Sequence, residues 1–281
     1  MRLASLVPPE IPVEIWDEDL RPLDYSRCTP RTLMGITSKT LSIDRARDIA
    51  AEAKRRGATV IVGGTHVTLA PEDVAPRADA IVVGEAYFTW PRIIHDVLQN
   101  HLQKTYVDEE WAPLAGVAPL TDRVIQMVNE RKHYWTPYLE ITRGCPRKCD
   151  FCSVPQVYGN AFRTKTVAQV VRDVEAAKAA APGTLVLFAD DNMFINRRFA
   201  RELLRALIPL KIRYMAQSDI DIARDPELLS LIKDSGCMML LVGLESLSED
   251  TLKTVDAFKA RALGGYEAGV RRIQEAGISV L

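Results

Sequence analysis

Short apolar runs alternate with amphipathic stretches of helical period along nearly the whole chain, and this alternation restricts the fold more than any other feature. Thr32–Thr40, Thr59–Gly64 and Asp79–Glu85 read as strands, the last two apolar enough for burial on both faces. Between the first two, Ile43, Ala46, Ile49, Ala50 and Ala53 share one face of a helix over 43–56, with Ser42 placed to cap it and Gly57 to stop it. Another helix, about 88–102, carries Trp90, Ile93, Ile94 and Val97. Val13–Leu20 also alternates and is expected to be a strand running into a turn. This order predicts a doubly wound parallel sheet. Ligands of such sheets sit outside the C-terminal strand ends. Here those ends are Thr37, Ser38 and Thr40, then Gly63, Gly64 and His66, then Gly84 and Glu85. Each has an ordinary reading as well: glycines after strands serve turns, and His66 suits a hydrogen-bonded loop.

Residues 103–137 lack a clean period and contain Pro119 and Pro137, as a connector would, with a short helix expected around Asp122–Met127. From Tyr138 the alternation resumes. Strands are expected at 138–143, 184–190, 211–218, 238–245 and 278–281. The helices between them are marked by Val167, Val170, Val171 and Val174, by Phe199, Leu203, Leu204 and Leu207, by the cap-then-proline pair Asp225–Pro226, and by Ser248 as a cap. Repeated βα units predict a partial barrel with its site at the C-terminal rim.

The loop after the first of these strands holds Cys145, Cys149 and Cys152 in the spacing C-x3-C-x2-C. Three thiolates on one loop can hold three corners of a [4Fe–4S] cube and leave the fourth iron open to a small molecule. A structural zinc site would want a fourth sulfur or nitrogen, usually from a second close pair, and Cys237 stands alone. A redox dithiol would use Cys149 and Cys152 and leave Cys145 idle. Cys28 and Cys237 read as small buried thiols.

Lysine plus arginine (36) and aspartate plus glutamate (37) nearly cancel, which argues against a nucleic-acid binder. No apolar run approaches the length of a transmembrane helix. Few, clustered cysteines suit a reducing cytoplasm.

Arg143-Gly-Cys-Pro-Arg-Lys-Cys-Asp-Phe-Cys-Ser153 resembles the signature of radical S-adenosylmethionine (SAM) enzymes. Gly63-Gly-Thr-His-Val-Thr68, Pro71-Glu-Asp-Val74 and Asp79-Ala-Ile-Val-Val-Gly-Glu-Ala86 resemble the cobalamin-binding domain that precedes such cores in the cobalamin-dependent class. Phe162–Val171 and Asp190-Asp-Asn-Met-Phe-Ile-Asn196 agree with that class. The resemblance implies a Rossmann-like, flavodoxin-like cobalamin (B12) domain over 1–107 lacking its first strand, a linker over 108–130, and a (β/α)6 TIM-like radical SAM core over 131–281, cut inside its fifth strand. It implies Cys145, Cys149 and Cys152 as ligands of a [4Fe–4S] cluster, and Phe151, Asp190, Asp191, Gln217, Ser218, Gly243 and Glu245 around SAM. Asp190–Asp191 stands where many such enzymes have Gly-Gly-Glu, and either Asp191 or Asn192 could instead cap the next helix. Glu245 is the candidate for the ribose hydroxyls. Cobalamin would lie on the strand ends named above. The D-x-H-x-x-G motif that supplies a lower axial histidine in classical carriers is not found.

The function so implied is reductive cleavage of SAM to a 5′-deoxyadenosyl radical and methyl transfer to an unactivated carbon of a lipid or secondary metabolite, with electrons from a flavodoxin or ferredoxin. The alternatives are a cyclisation or oxidative rearrangement without methyl transfer, as in anaerobic porphyrin cyclases, and a cobalamin- and cluster-binding fragment without turnover. Methylthiotransferases carry a second cluster in their N-terminal domain, and Cys28 alone does not provide one.

Overall fold

Val60, Ile61 and Val62 are at most 1% exposed, so strand β2 (Thr59–Gly63) is covered on both faces, as its unbroken apolar run requires. It lies in a parallel sheet of order β1-β2-β3-β4, with β1 (Leu33–Thr37), β3 (Ala80–Val83) and β4 (Thr105–Val107). Val60, Val62 and Ile81 pack under Ala46, Ala50 and Ala53 of the helix Ile43–Arg55 and Val67 of the helix Thr65–Leu69. Ile61, Ala80 and Val82 pack on the opposite face with Trp90, Ile93 and Ile94 of the helix Thr89–Leu98, and with Leu3 of the short helix Arg2–Ser5. These four helices are, in chain order, α1 (Arg2–Ser5), α2 (Ile43–Arg55), α3 (Thr65–Leu69) and α4 (Thr89–Leu98). The sheet is thus wound on both sides.

The computed structural model describes residues 2–117, 137–147, 149–180, 182–255 and 265–281. The chain divides into two units, the first chiefly Met1–Ala112 and the second chiefly Tyr134–Pro155 with Gly159–Leu281. The helix expected at Asp122–Met127 lies outside the described residues. Among these residues no helix is long and apolar enough to cross a membrane.

Two expectations for the first unit change. Val13–Leu20 forms no strand: its residues bend into a turn and are tied by side chains, with the Arg21 guanidinium over the Trp16 ring at 3.7 Å and Glu18 paired to Arg45. Alternation makes a segment fit for a sheet, but only a neighbouring backbone makes it a strand. Conversely, β4 falls where the sequence reads as connector. Only Tyr106 of its three residues is buried, which is too short a pattern for a period to show.

The second unit carries the parallel sheet β11-β10-β9-β8-β5. The single strand expected at 138–143 is split. β5 (Tyr138–Leu139) pairs with β8 (Leu185–Phe188), while β6 (Thr142–Arg143) turns antiparallel to β7 (Arg163–Thr164). β9 (Arg213–Asp219), β10 (Cys237–Gly243) and β11 (Ser279–Val280) complete the sheet. The helices are α5 (Val154–Tyr158), α6 (Val167–Ala180), α7 (Arg197–Leu207), α8 (Pro226–Asp234), α9 (Glu249–Val255) and α10 (Tyr266–Glu275). Leu203, Leu204 and Leu207 of α7 and Leu228 and Ile232 of α8 pack on Tyr214, Ala216 and Leu240 of the sheet. The alternate residues Met215 and Gln217 of β9 and Met239 of β10 are half-buried, and Leu241 is exposed, so this face is not packed by the helices.

The caps are specific. Asp225 accepts from Leu228 N at 3.0 Å with Pro226 at the first helical position, and Ser248 Oγ accepts from Thr251 N at 3.3 Å. α7 is capped by Asn196, which accepts from Phe199 N at 3.1 Å, and not by Asp191 or Asn192. Gly236 connects α8 to β10 with φ +100°, and a Cβ there would lie 1.9 Å from the Ile212 carbonyl oxygen.

Candidate functional site

In the second unit the chain leaves β5, crosses Glu140 and Ile141, and passes through β6 into the cysteine loop at Gly144, whose φ is +81°. The Cys145 N–H donates to Gly159 O at 3.4 Å, and the Cys152 N–H to Cys149 O at 3.1 Å. All three thiols are half-buried. Burial, with Cys152 and Asp191 adding to it, raises the Cys145 thiol above its usual range. Iron binding therefore has to displace a proton there. Among the described residues no three His, Cys, Asp or Glu side chains are arranged to hold a single metal ion. Thiolates on a cube bind different irons, so they need not converge on one point.

Around the loop stand the strand ends. Asp190, 1% exposed, accepts through Oδ1 from Ile141 N at 2.9 Å and from Thr142 N, stitching the end of β8 to the chain entering the loop. Its Oδ2 is buried without a hydrogen-bond partner among the described residues. Burial pushes the Asp190 carboxyl from its ordinary 3.8 up to about 7. Burial, together with the neighbouring Glu140, also raises Asp191. Glu140 holds Arg143 in a two-pronged pair at 2.6 and 2.7 Å. Three carboxyls, Glu140, Asp190 and Asp191, thus lie beside the thiol loop.

Asp190 gives a pH prediction. A carboxyl whose folded pKa exceeds its unfolded value keeps its proton in the native chain after the unfolded chain has lost it. The associated stability is fully present below about pH 4 and is lost as pH rises to about 7. Asp190→Asn removes this titration. In urea melts of the metal-free chain, the variant should gain on the wild type by on the order of 3 kcal/mol between pH 4.5 and 8. A pH-independent difference would contradict the assignment.

The remaining residues expected around SAM are placed as follows. Gln217 is half-buried on the sheet face left open by the helices, and its carbonyl accepts from Met193 N at 3.3 Å. Ser218 is buried, and its hydroxyl donates to Asp219 O at 3.0 Å. Alternation along β9 turns Ser218 to the face opposite Gln217, so the strand does not present both to one ligand. Gly243 ends β10 in register with Asp219. Glu245 is exposed with φ +63°, a left-handed conformation that costs a non-glycine residue of order 1 kcal/mol or more. Phe151 is 51% exposed.

Sequence reading missed Glu140, Arg147 and Asp219. The Arg147 guanidinium donates to Asp219 Oδ2 at 2.9 Å, and Asn192 Nδ2 donates to the same oxygen at 2.9 Å. An acid immediately after the strand expected at 211–218 was a usable signal for Asp219.

In the first unit the expected rim exists. A Cβ on Gly64 (φ +102°) would sit 2.6 Å from Ser38 O and 2.9 Å from Thr37 Oγ1, so only glycine lets the ends of β1 and β2 close on each other. The Ser38 N–H donates to Gly63 O at 3.1 Å, and the His66 N–H to Ser38 O at 3.3 Å. His66 is 8% exposed, with Nδ1 at 3.2 Å from Thr40 Oγ1 and Nε2 at 3.1 Å from Asp73 Oδ2. Both ring nitrogens are therefore engaged inside the unit. The Gly84 N–H donates to Thr68 Oγ1 at 3.0 Å, and Glu85 accepts from Ala112 N at 3.3 Å. At the ends of β3 and β4, Asp108 Oδ1 accepts from Thr89 N, while Asp108 Oδ2 and Thr89 Oγ1 are buried without partners among the described residues.

The bacteriochlorophyllide d C-8(2)-methyltransferase of Chlorobaculum tepidum is 32% identical over 289 aligned positions, covering 99% of this chain and 64% of that protein. The hopanoid C-2 methylase of Rhodopseudomonas palustris is 25% identical over 99% of this chain and 54% of its own length. The chain thus spans between half and two thirds of these relatives. Among solved structures, the cobalamin-dependent SAM radical enzyme OxsB superposes with a TM-score of 0.70 at 18% identity, over 89% of this chain and 40% of that one. The radical SAM methyltransferase TsrM of Kitasatospora setae does so with 0.68 at 17% identity, over 91% and 57%. At those identities the likeness is one of fold. Residues 139–281, half of the chain, match the radical SAM superfamily, and the chain belongs to it.

Proposed function

We propose that this chain is the cofactor-binding part of a cobalamin-dependent radical SAM methyltransferase. The observation that carries the proposal is the cysteine loop on the first strand of a parallel sheet, walled by the strand-end carboxyls. Cys145, Cys149 and Cys152 would hold three irons of a [4Fe–4S] cluster. Their half-buried thiols on one tight loop suit that group. When bound, the cluster supplies the single electron that splits SAM into methionine and a 5′-deoxyadenosyl radical.

The chain's own residues bind and orient. Asp191 and Glu140 offer carboxylates to the cosubstrate ammonium, Gln217 an amide from the open face of the sheet, and Glu245 a carboxylate for the ribose hydroxyls. Gly243 leaves room at its strand end, and Phe151 can cover the adenine or the cluster. Asp190 serves this site through the strand it stitches. Met215, Met239 and Leu241 on the sheet face left open by the helices suit an apolar substrate. The relatives named above act on bacteriochlorophyllide and hopanoid, which supports a tetrapyrrole or polycyclic lipid with an unactivated carbon.

Cobalamin, when bound, supplies the methyl group. Thr37, Ser38, Thr40, Gly63, Gly64, Gly84 and Glu85 line the rim that would receive it, and the unpartnered Asp108 Oδ2 and Thr89 Oγ1 offer it an acceptor and a hydroxyl. Both ring nitrogens of His66 are engaged by Thr40 and Asp73, so we assign it to shaping the rim. We take the two parts to be 1–107 and 131–281, joined by 108–130, in a cytoplasmic protein fed by a flavodoxin or ferredoxin.

The test is anaerobic reconstitution with iron and sulfide, followed by dithionite and SAM. 5′-Deoxyadenosine should form, and hydroxocobalamin should survive desalting with a shifted visible spectrum. A chain that binds iron but forms no 5′-deoxyadenosine overturns the enzymatic reading. Loss of all cobalamin on desalting overturns the assignment of the first unit.

A further inference from the structure

Asp219 closes β9 and is 8% exposed, yet its carboxylate takes three donors from three different rim segments. Oδ2 accepts from Arg147 Nη2 and from Asn192 Nδ2, both at 2.9 Å, and Oδ1 accepts from the Asp221 N–H at 3.0 Å. Arg147 lies in the three-residue interval between Cys145 and Cys149, Asn192 follows β8, and Asp221 opens the turn after β9. An exposed ion pair contributes little to stability. This one differs because the acid is buried, the arginine side chain is only 32% exposed, and one oxygen serves two donors, so removing the carboxylate strands both.

Position gives the pair its role. The backbone hydrogen bonds Cys145–Gly159 and Cys149–Cys152 tie the loop to its own neighbourhood. The Arg147–Asp219 bond instead reaches β9, two strands away from β5 in the sheet order. Because so few residues separate Cys145 from Cys149, fixing the guanidinium between them restricts both thiols.

We infer that Arg147 and Asp219, with Asn192, form a latch that holds the cysteine loop against the end of β9 in its iron-binding shape before iron arrives. The inference rests on the reading of Cys145, Cys149 and Cys152 as cluster ligands. Arg147 and Asp219 are positioning residues in it, acting through the thiols. Preorganisation of this kind lowers the ordering cost of binding.

The test uses the full, metal-free chain and measures alkylation by N-ethylmaleimide at each cysteine by mass spectrometry. Buried Cys28 and Cys237 serve as internal gauges of folding. In Asp219→Ala, Cys145 and Cys149 should label about tenfold faster, as expected for loss of a charge-assisted hydrogen bond, with Cys28 and Cys237 still slow. Arg147→Lys should restore most of the protection that Arg147→Ala loses, and the Arg147→Ala/Asp219→Ala double variant should label no faster than either single one. After reconstitution, Asp219→Ala should lose iron to a chelator faster and show a shifted electron paramagnetic resonance signal.

Unchanged labelling in Asp219→Ala with Cys237 protected overturns the latch. If Cys237 labels rapidly in Asp219→Ala, the shape-preserving Asp219→Asn decides by the same criterion. Failure of the wild type to take up iron counts against the cluster reading alone, since the thiol rates are measured without metal.

Discussion

Cys149→Ala is expected to abolish 5′-deoxyadenosine formation, by at least about a thousandfold, while Cys28→Ala keeps most of the wild-type rate. The size of the difference follows from what each thiol does. Cys149 is half-buried in the loop, and its carbonyl accepts the Cys152 N–H, so alanine keeps the backbone turn and removes only a sulfur. An iron that loses its thiolate has no other cysteine within reach on the loop, and a cube held at two corners is labile. Cys28 packs in the first unit's core at 7% exposure, where alanine removes a little apolar volume and no ligand. Chromatography of the nucleoside product, with iron content and the reduced-state electron paramagnetic resonance signal measured on the same sample, checks this. A Cys149→Ala protein that keeps its iron and still cleaves SAM would show that these thiols are not the ligand set.

Gly236→Ala is expected to cost at least about 3 kcal/mol, and in practice to leave the second unit unfolded or insoluble. The added methyl would lie 1.9 Å from the Ile212 carbonyl oxygen, a backbone atom at the root of β9, in a residue already held at φ +100°. No side-chain rotation relieves that contact. Either β9 moves away from β10, breaking the Tyr214 N–H to Gly236 O bond, or α8 shifts on the sheet and opens the core around Leu228 and Ile232. Gly183→Ala separates the two contributions. Its φ is +78°, but nothing among the described residues lies within 4 Å of the new methyl, so only the backbone cost of about 1 kcal/mol should appear. Urea midpoints of the three proteins measure both effects, and a Gly236→Ala chain as stable as Gly183→Ala would contradict the packing described.

The strands and helices that carry apolar periods were legible. β2, β3, β8, β9 and β10 and the caps at Asp225 and Ser248 fall where the residue pattern places them, because burial on a regular element imposes a regular pattern. The cysteine loop was legible for a different reason, since metal ligation fixes residue type and spacing together. What stayed hidden depends on partners distant in the chain. Val13–Leu20 has a strand's pattern without a strand's neighbour, and β4 has a neighbour without a pattern. Arg147 sits in the middle of the most conspicuous motif, yet its role comes from an acid seventy-two residues later. Asp190 is legible from its motif as a candidate SAM contact. It also holds the backbone of Ile141 and Thr142, which no local reading could supply.

The pairing of β5 bears on how the molecule assembles. β8 through β11 are neighbours both in sequence and in the sheet, and β9 and β10 each close a modest loop onto the strand before them. β5 instead joins through Tyr138–Leu187 and Leu139–Phe188, after the cysteine loop, α5, β7 and α6 have all been looped out. A short ladder bought with a long loop closure is the step a folding chain takes late and reverses first. The thiols are thus mounted on an edge that locks late. Whatever binds the docked loop favours the docked edge by mass action, so filling the site and finishing the fold are one coupled equilibrium.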